Sequence, residues 1–387
     1  MLEGFFWISL LLFLHPYTTY PLSLVGLRLL GFPRSRHESS ATGEFPPGEL
    51  PQVCVLVVAY NEQREIGARI ENLLGHDYPA ERMDVCVVSD GSSDRTDEIV
   101  SSYGDRARLV RSPQRVGKAL CVNLGLKETA SEVVVFTDAN TEFAKDAVMR
   151  LVAPLADPSV GFVVGTQGYR TVRNAPAEKS ESSYGTYETW LRQLENCVGS
   201  VVGGDGAIMA VRRELIGSLR PDDVSDLRIP LECVAKGFRG YFQAAAKGWE
   251  VAPHVFRKQF DRKTRIIQRS ILTMVRVSQV LNPFRAGMFA YLAVSHKVLR
   301  WFGPVLLLIA IASSWLLVWN GESQYCWFLA GVIALMGIAA GYSFPSLRRN
   351  RLVYLSFYFW LMQFAALVAI TRLHRRDYYT LWDPARE

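Results

Sequence analysis

The chain is short of the patterns that usually announce a metal or a classical nucleotide cradle. Its six cysteines (54, 86, 121, 197, 233 and 326) are scattered, with no C-x-x-C pair. A disulfide scaffold or thiolate zinc site is therefore disfavoured, and thiols packed as small hydrophobes are the better reading. The six histidines show no ligand spacing, which argues against zinc. No G-x-G-x-x-G follows the first apolar run and no Walker pattern occurs, so dinucleotide binding and P-loop chemistry lack their phosphate cradle. Internal repeats and low-complexity tracts are missing too. The net charge is only +6, which suits an anionic lipid surface and an anionic substrate better than nucleic acid.

Apolar sequence is plentiful and unevenly spread. Hydrophobic residues make up 49% of the 387. Residues 4–30 form one apolar run, with Arg28, Arg34 and Arg36 at its end, and others lie at 301–319, 325–341 and 352–371. Each is near the roughly 20 residues that cross a bilayer. The last three carry no charge, which disfavours a transporter. The organisation expected is an N-terminal transmembrane helix (1–32), a Pro- and Gly-rich linker (33–51), a globular domain (52–256), amphipathic interfacial helices (257–298), about three C-terminal transmembrane helices (299–372) and a basic tail (373–387). No basic residue precedes the first run, so a signal peptide is disfavoured. Positive-inside logic places the globular domain in the cytoplasm of a multi-pass inner-membrane protein, although Arg372, Arg375 and Arg376 conflict with it if all four runs cross.

Within the globular region strands and helices alternate. Val53 to Val58, Asp84 to Val88, Arg108 to Val110, Val133 to Thr137 (running straight into Asp138) and 160–164 read as strands. Helices are expected at 62–74, 94–103, 117–130, 144–155, 180–200, 211–218, 226–237 and 258–281. This spacing implies an α/β fold with a parallel, doubly wound sheet.

Three strands run into acids: Ala59-Tyr60-Asn61-Glu62, Ser89-Asp90-Gly91 and Asp138-Ala139-Asn140. Ligands bind at the carboxyl ends of strands in such sheets. In an extended chain Asp138 and Asn140 point the same way, and a carboxylate beside an amide oxygen suits Mg²⁺ or Mn²⁺ held against phosphates. An isolated D-x-N is more often a strand end whose acid starts a turn. Acids at three successive strand ends argue for a site, with Lys118 as the cation for a diphosphate.

Y-N-E at 60–62, V-S-D-G-S-S-D at 88–94, G-K-A-x-x-x-N at 117–123 and T-D-A-N at 137–140 resemble the inverting family 2 glycosyltransferases. The membrane layout and the ending W-D-P-A-R (382–386) resemble the polysaccharide-synthase branch, similar to cellulose and hyaluronan synthases. The resemblance implies a GT-A domain, Rossmann-like with a mostly parallel sheet, in the cytoplasm beside α-helical transmembrane segments. It implies a hexosyltransferase moving sugar from a nucleotide-sugar, expected to be UDP-linked, to a growing polysaccharide or a lipid-linked acceptor. Ala59, Tyr60, Glu62 and Asp90 would hold the nucleoside, Lys118 the diphosphate, and Asp138 with Asn140 the metal. Asn140 stands where relatives carry a second acid. Gly204, Asp205 and Arg212 resemble the acceptor-side loop.

An inverting transfer needs one carboxylate to deprotonate the acceptor. Asp222, Asp223 and Asp226 are candidates on composition alone. In the family this acid precedes a Gly-aromatic-Arg, and Gly237-Phe238-Arg239 then selects Asp226. Relatives that build long polymers carry Q-x-x-R-W further on. Here the matching stretch is Arg262-Lys263-Thr264-Arg265-Ile266, without the tryptophan. Arg265 and Arg269 would still bind diphosphate. Tyr184, Tyr187, Glu188 and Trp190 are candidates for the acceptor path. The rival reading is a non-catalytic sugar-nucleotide sensor or scaffold of an assembly machine, supported by Asn140 and the missing tryptophan.

Overall fold

The computed structural model describes residues 1–32, 45, 49–170, 175–251 and 255–375. Most of the expected linker, the far end of the basic tail and the W-D-P-A-R ending lie outside the described residues. In chain order the elements are α1 (Leu2–Leu14), α2 (Thr19–Leu29), β1 (Val53–Ala59), α3 (Ile66–Leu74), β2 (Met83–Ser89), α4 (Thr96–Ser101), β3 (Arg108–Arg111) and α5 (Lys118–Lys127). Then come β4 (Val133–Asp138), β5 (Glu142–Phe143), α6 (Ala147–Val152), β6 (Val160–Arg170), α7 (Pro176–Val198), β7 (Met209–Arg212), α8 (Ser225–Ala235), β8 (Arg239–Val251) and α9 (Phe256–Arg276). The rest is helical: α10 (Pro283–Ala286), α11 (Met288–Ala293), α12 (Leu299–Trp301), α13 (Gly303–Trp319), α14 (Cys326–Ala340) and α15 (Arg351–His374).

The strands form one eight-stranded sheet in the order β3-β2-β1-β4-β7-β6-β8-β5. All seven residues of β1 are buried, because helices cover both faces. Val53, Val55 and Val57 pack with α3, α4 and α6 on one side; Cys54, Leu56 and Val58 pack with α5 on the other. Sheet pairing is parallel at β3-β2-β1-β4 and again at β6–β8. It is antiparallel at β4–β7, β7–β6 and β8–β5, so the sheet is mixed rather than wholly parallel.

Two local expectations fail here. The helix expected at 211–218 is instead strand β7 followed by a 3-10 turn at Arg213–Leu215. The apolar residues Met209, Ala210 and Val211 are needed between β4 and β6, and a strand satisfies their backbone groups there. β6 runs past 164 to Arg170, and the 13-residue β8 pairs along it through two register shifts.

Ser323–Ser343 and Arg351–His374 are long and apolar enough to cross a membrane. Leu2–Tyr17 with Thr19–Leu29, bent by 58°, and Met288–Trp301 with Gly303–Trp319, bent by 65°, qualify if each pair is one span. The single N-terminal helix expected over 1–32 is thus two helices. Pro16 sits in the turn between them and lacks the donor that would continue α1. The amphipathic α9 does not lie open on a surface either. Its Ile267, Ile271 and Met274 share a core with Leu24 of α2, Leu191 of α7, Leu227 of α8 and Ala366 and Ala369 of α15. That core joins the sheet domain to the apolar helices.

The β6–β8 pairing depends on one close approach. The fully buried Phe162 lies against Gly240, where an added Cβ would come within 2.2 Å of the ring. Gly240→Ala is expected to cost about 1–3 kcal/mol through overpacking. Thermal unfolding of the purified protein checks this, and an unchanged melting temperature would refute the packing argument.

Candidate active site

The parallel register sets the site edge. Ala59 pairs with Ser89, and Val58 with Asp138, so β1, β2 and β4 end level with one another. Ala59, Tyr60, Glu62 and Asp90 therefore gather at one end of the sheet. Asp90 is fully buried, and its carboxylate accepts from Val116 N–H at 2.6 Å and Gly117 N–H at 3.0 and 3.1 Å. It holds the loop that starts α5 and so presents Lys118, instead of standing open to a nucleoside. Gly91 (φ +66°) passes so close to the same loop that a Cβ there would meet Arg115 N at 2.9 Å. The Arg115 guanidinium lies 4.0 Å over the Tyr60 ring. Glu62 is 3% exposed, and its N–H donates to Thr96 Oγ1 at 2.7 Å.

Lys118 Nζ is ion-paired with Asp138 Oδ1. Burial pulls the ammonium down, but Asp138, Asp226 and Glu250 together hold it above its ordinary value. β4 ends at Asp138, and Thr141 N–H closes a turn onto the Asp138 carbonyl at 3.3 Å. The alternation expected to align Asn140 with Asp138 therefore does not apply, and Asn140 is exposed. Behind the strand end the buried Arg69 donates to Thr137 Oγ1 at 2.7 Å and lies 4.3 Å over the Phe143 ring.

Asp226 stands in the first turn of α8, beside the Gly-rich loop before β7. Pro230 is four residues on and has no N–H, so the Asp226 carbonyl loses its helical partner. That carbonyl accepts from Gly204 N–H at 2.6 Å instead. A Cβ on Gly204 would lie 2.2 Å from Met209 Sδ and 2.9 Å from the Asp226 carbonyl oxygen. Arg192 of α7 holds the other side of the loop through Asp205 at 3.3 Å and the Gly204 carbonyl at 3.3 Å. A Cβ on Gly206 would sit 3.2 Å from Lys118 Nζ and 3.6 Å from Asp226 Oδ2, which places both groups around one small space. Burial pushes the Asp226 carboxyl above its ordinary value; Lys118 opposes this, while Asp205 and Asp138 add to it.

The other two candidate bases are committed. Arg276 binds both Asp222, at 2.5 Å, and Asp223, at 2.7 Å. Burial would raise Asp222, yet Arg276 outweighs it and holds that carboxyl below its ordinary value. Arg269 donates to the carbonyls of Pro221, Asp222 and Asp223 at 2.6–3.2 Å, so it shapes the loop ahead of Asp226. Arg212 is not brought to the site. Its guanidinium donates to the carbonyls of Leu155, Asp157 and Val160, beside the start of β4 where Arg212 pairs with Val133. Arg265 lies half-buried on α9.

Sequence reasoning missed Glu250 and underrated Arg262. Glu250, at the end of β8, is 7% exposed and accepts from Thr141 Oγ1 at 2.8 Å. Burial, then the charge of Asp138, pushes its carboxyl up to about 7. Arg262 feels Tyr169, Glu181, Glu250 and Asp138, which hold it above its ordinary value against the pull of burial. No local motif surrounds Glu250; only the β8–β6 pairing and the fold of β5 onto β8 carry it to Asp138.

No group of three or more His, Cys, Asp or Glu able to hold a metal occurs among the described residues. The donor chemistry still fits a hard cation held partly by substrate. One or two carboxylates plus phosphate oxygens and water satisfy Mg²⁺ or Mn²⁺. Asp138, with 34% of its side chain exposed, is the carboxylate able to offer an oxygen.

A cavity of about 340 Å³ opens from Asp226, Gly203 and Gly204 toward α15, where Leu355, Phe359 and Met362 line it. Tyr184 lines it as well. Trp190 is 43% exposed, and Glu188 lies behind the lining, accepting from His296 at 3.0 Å and ion-paired with Arg300.

This sheet, with acids at its strand ends and one carboxylate across from them, defines a GT-A glycosyltransferase fold. Residues 54–219 match the model of the family described as Glycosyl transferase family 2, and the chain carries a domain of that family. A probable glycosyltransferase, YdaM, of Bacillus subtilis is 29% identical over 56% of this chain and 54% of its own length. A beta-monoglucosyldiacylglycerol synthase of Synechocystis is 32% identical over 37% of this chain and 31% of its own length. The chain thus spans about a third to a half of these curated relatives. Among solved structures, the mannosyltransferase PcManGT of Pyrobaculum calidifontis, in complex with GDP-Man and Mn²⁺, superposes with a TM-score of 0.72. It is 22% identical and covers 96% of this chain and 98% of its own, so the likeness extends over the apolar helices as well.

Glu250 makes a pH test. Its folded pKa of about 7 lies above the ordinary 4.5, so the proton is favoured in the folded state. Its effect on stability is fully present below the ordinary value and is lost as pH rises through about 7. Glu250→Gln cannot titrate. With chelator present, its melting temperature is expected to exceed that of the wild type by more at pH 8 than at pH 5. A gap independent of pH would refute the assignment.

Proposed function

We propose that the protein is a membrane-bound, metal-assisted inverting glycosyltransferase. It moves a sugar from a nucleotide-sugar, UDP-linked in the first instance, to a hydroxyl of a lipid-linked acceptor or a growing polysaccharide at the cytoplasmic face. The observation that carries this reading is the position of Asp226. It borders both the Lys118–Asp138 pair and the cavity that runs to the apolar helices, and it forms no ion pair among the described residues.

The chemistry follows from that arrangement. The donor nucleoside lies by Tyr60 and Glu62, and its diphosphate by Lys118 and Asp138. The acceptor hydroxyl arrives through the cavity and meets Asp226. As the acceptor oxygen bonds to the anomeric carbon, the bond from that carbon to the diphosphate breaks on the opposite face, and the hydroxyl proton passes to Asp226. A carboxyl raised by burial is a stronger base than an exposed one. Lys118 offsets charge developing on the leaving diphosphate. A divalent cation at Asp138, when bound, adds Lewis-acid neutralisation of the same charge.

Asp226→Asn should lower the transfer rate by about 10²–10⁴-fold while leaving donor-induced thermal stabilisation in place. Transfer within a few-fold of wild type would return the non-catalytic reading. Chelation should abolish transfer and Mg²⁺ or Mn²⁺ restore it, and Asp138→Asn should raise the metal concentration needed. Comparing UDP- and GDP-sugars in the stabilisation assay decides the nucleotide, and a response to neither would sink the donor assignment.

A further inference from the structure

We propose that the cavity beneath Asp226 binds a lipid acceptor through an anionic phosphate in its headgroup, with Lys297 as the anchoring cation. This rests on the acceptor reading above and adds its chemical class.

The argument begins with charge. The cavity wall carries Lys263, Lys297 and Arg300, with His296, against a single acid, Asp226. Lys263 is paired with Glu181 at 2.9 Å, and Arg300 with Glu188. Glu195 is engaged by His296 at 2.5 Å and by the Tyr20 hydroxyl at 2.6 Å. Lys297 forms no ion pair or hydrogen bond among the described residues, although it lines the cavity. The carboxylates whose charge reaches it, Glu188 and Glu195, are already engaged by Arg300, His296 and Tyr20, and a partly buried ammonium is costly unless an anion completes it.

The backbone favours the same reading. His296 and Lys297 lie in a π-helical turn, Val294–Val298, between α11 and α12. Such turns are rare inside helices and are frequent at functional sites.

The rest of the wall decides what kind of anion enters. Leu355, Phe359 and Met362 belong to α15, one of the two helices long and apolar enough to cross a membrane. Ile266 and Ile267 of α9 face them across the cavity. The wall also holds the hydroxyls of Tyr17, Tyr184, Tyr358 and Ser270 and the amide of Gln363, with the Tyr358 hydroxyl already given to Glu181. The cations grouped beside the apolar face of α15 favour an anion on an alkyl chain over a neutral polysaccharide, which would need partners for many hydroxyls. A phosphate on an alkyl chain satisfies both, with its charge at Lys297 and its chain along α15.

The test uses the full chain in detergent. Dodecyl phosphate is compared with dodecanol and with inorganic phosphate, by thermal stabilisation and by inhibition of sugar transfer. Dodecyl phosphate should stabilise most and compete with the acceptor. Lys297→Met should weaken its binding about tenfold or more, and Lys297→Arg should retain it. Donor-induced stabilisation in each variant reports an intact fold. Equal binding of inorganic phosphate would make the site one for free phosphate, and equal binding of dodecanol would make it a merely apolar groove; either overturns the proposal. So does undiminished dodecyl phosphate binding in Lys297→Met. A wild type that binds donor but transfers no sugar would instead overturn the enzyme reading, which keeps the two failures distinct.

Discussion

One ammonium organises the acidic end of the sheet. Lys118 is paired with Asp138 and lies within the fields of Asp226 and Glu250. Burial raises the Asp226 and Glu250 carboxyls, and the like charge of Asp138 adds to both. Lys118 is the counter-charge that keeps the group together. Its own place is set from behind by Asp90, whose buried carboxylate grips the two N–H groups just ahead of it. A motif acid with an expected ligand role is thus occupied in aiming another residue.

A second constraint ties Asp226 to the glycine-rich loop before β7. Pro230 removes the helical partner of the Asp226 carbonyl, and Gly204 N–H takes that carbonyl. Arg192 grips the loop from α7 through Asp205. Further along α7, Glu188 and Glu195 pair with His296 and Arg300 at the start of the apolar helices. Buried charges of this kind add little net stability, and they penalise any other register strongly. The catalytic domain and the apolar helices therefore meet in one arrangement, and the cavity lies along that seam.

Much of this was legible beforehand for a physical reason. β1 and β4 are continuous apolar runs because helices cover both faces of the sheet, and their polar ends mark its site edge. Asp226 was distinguishable from Asp222 and Asp223 only through a resemblance; in the structure Arg276 makes the same distinction by pairing with the other two. Arg212 misled because a basic pair beside a glycine loop carries no sign of which end of the sheet it reaches. β7 was misread as helix because a four-residue strand between two long neighbours has too few residues to show a period.

The alternation of strand and helix, the apolar runs and the acids at the strand ends all follow from residues close together in the chain, so they can be read without the fold. Tertiary structure alone decided that Glu250 reaches Asp138, that Asp90 serves Lys118, and that Lys297 lines a cavity shared with Asp226. Those relations join residues far apart in sequence, and only the packing of β8, α9 and α15 brings them within reach of one another's charge.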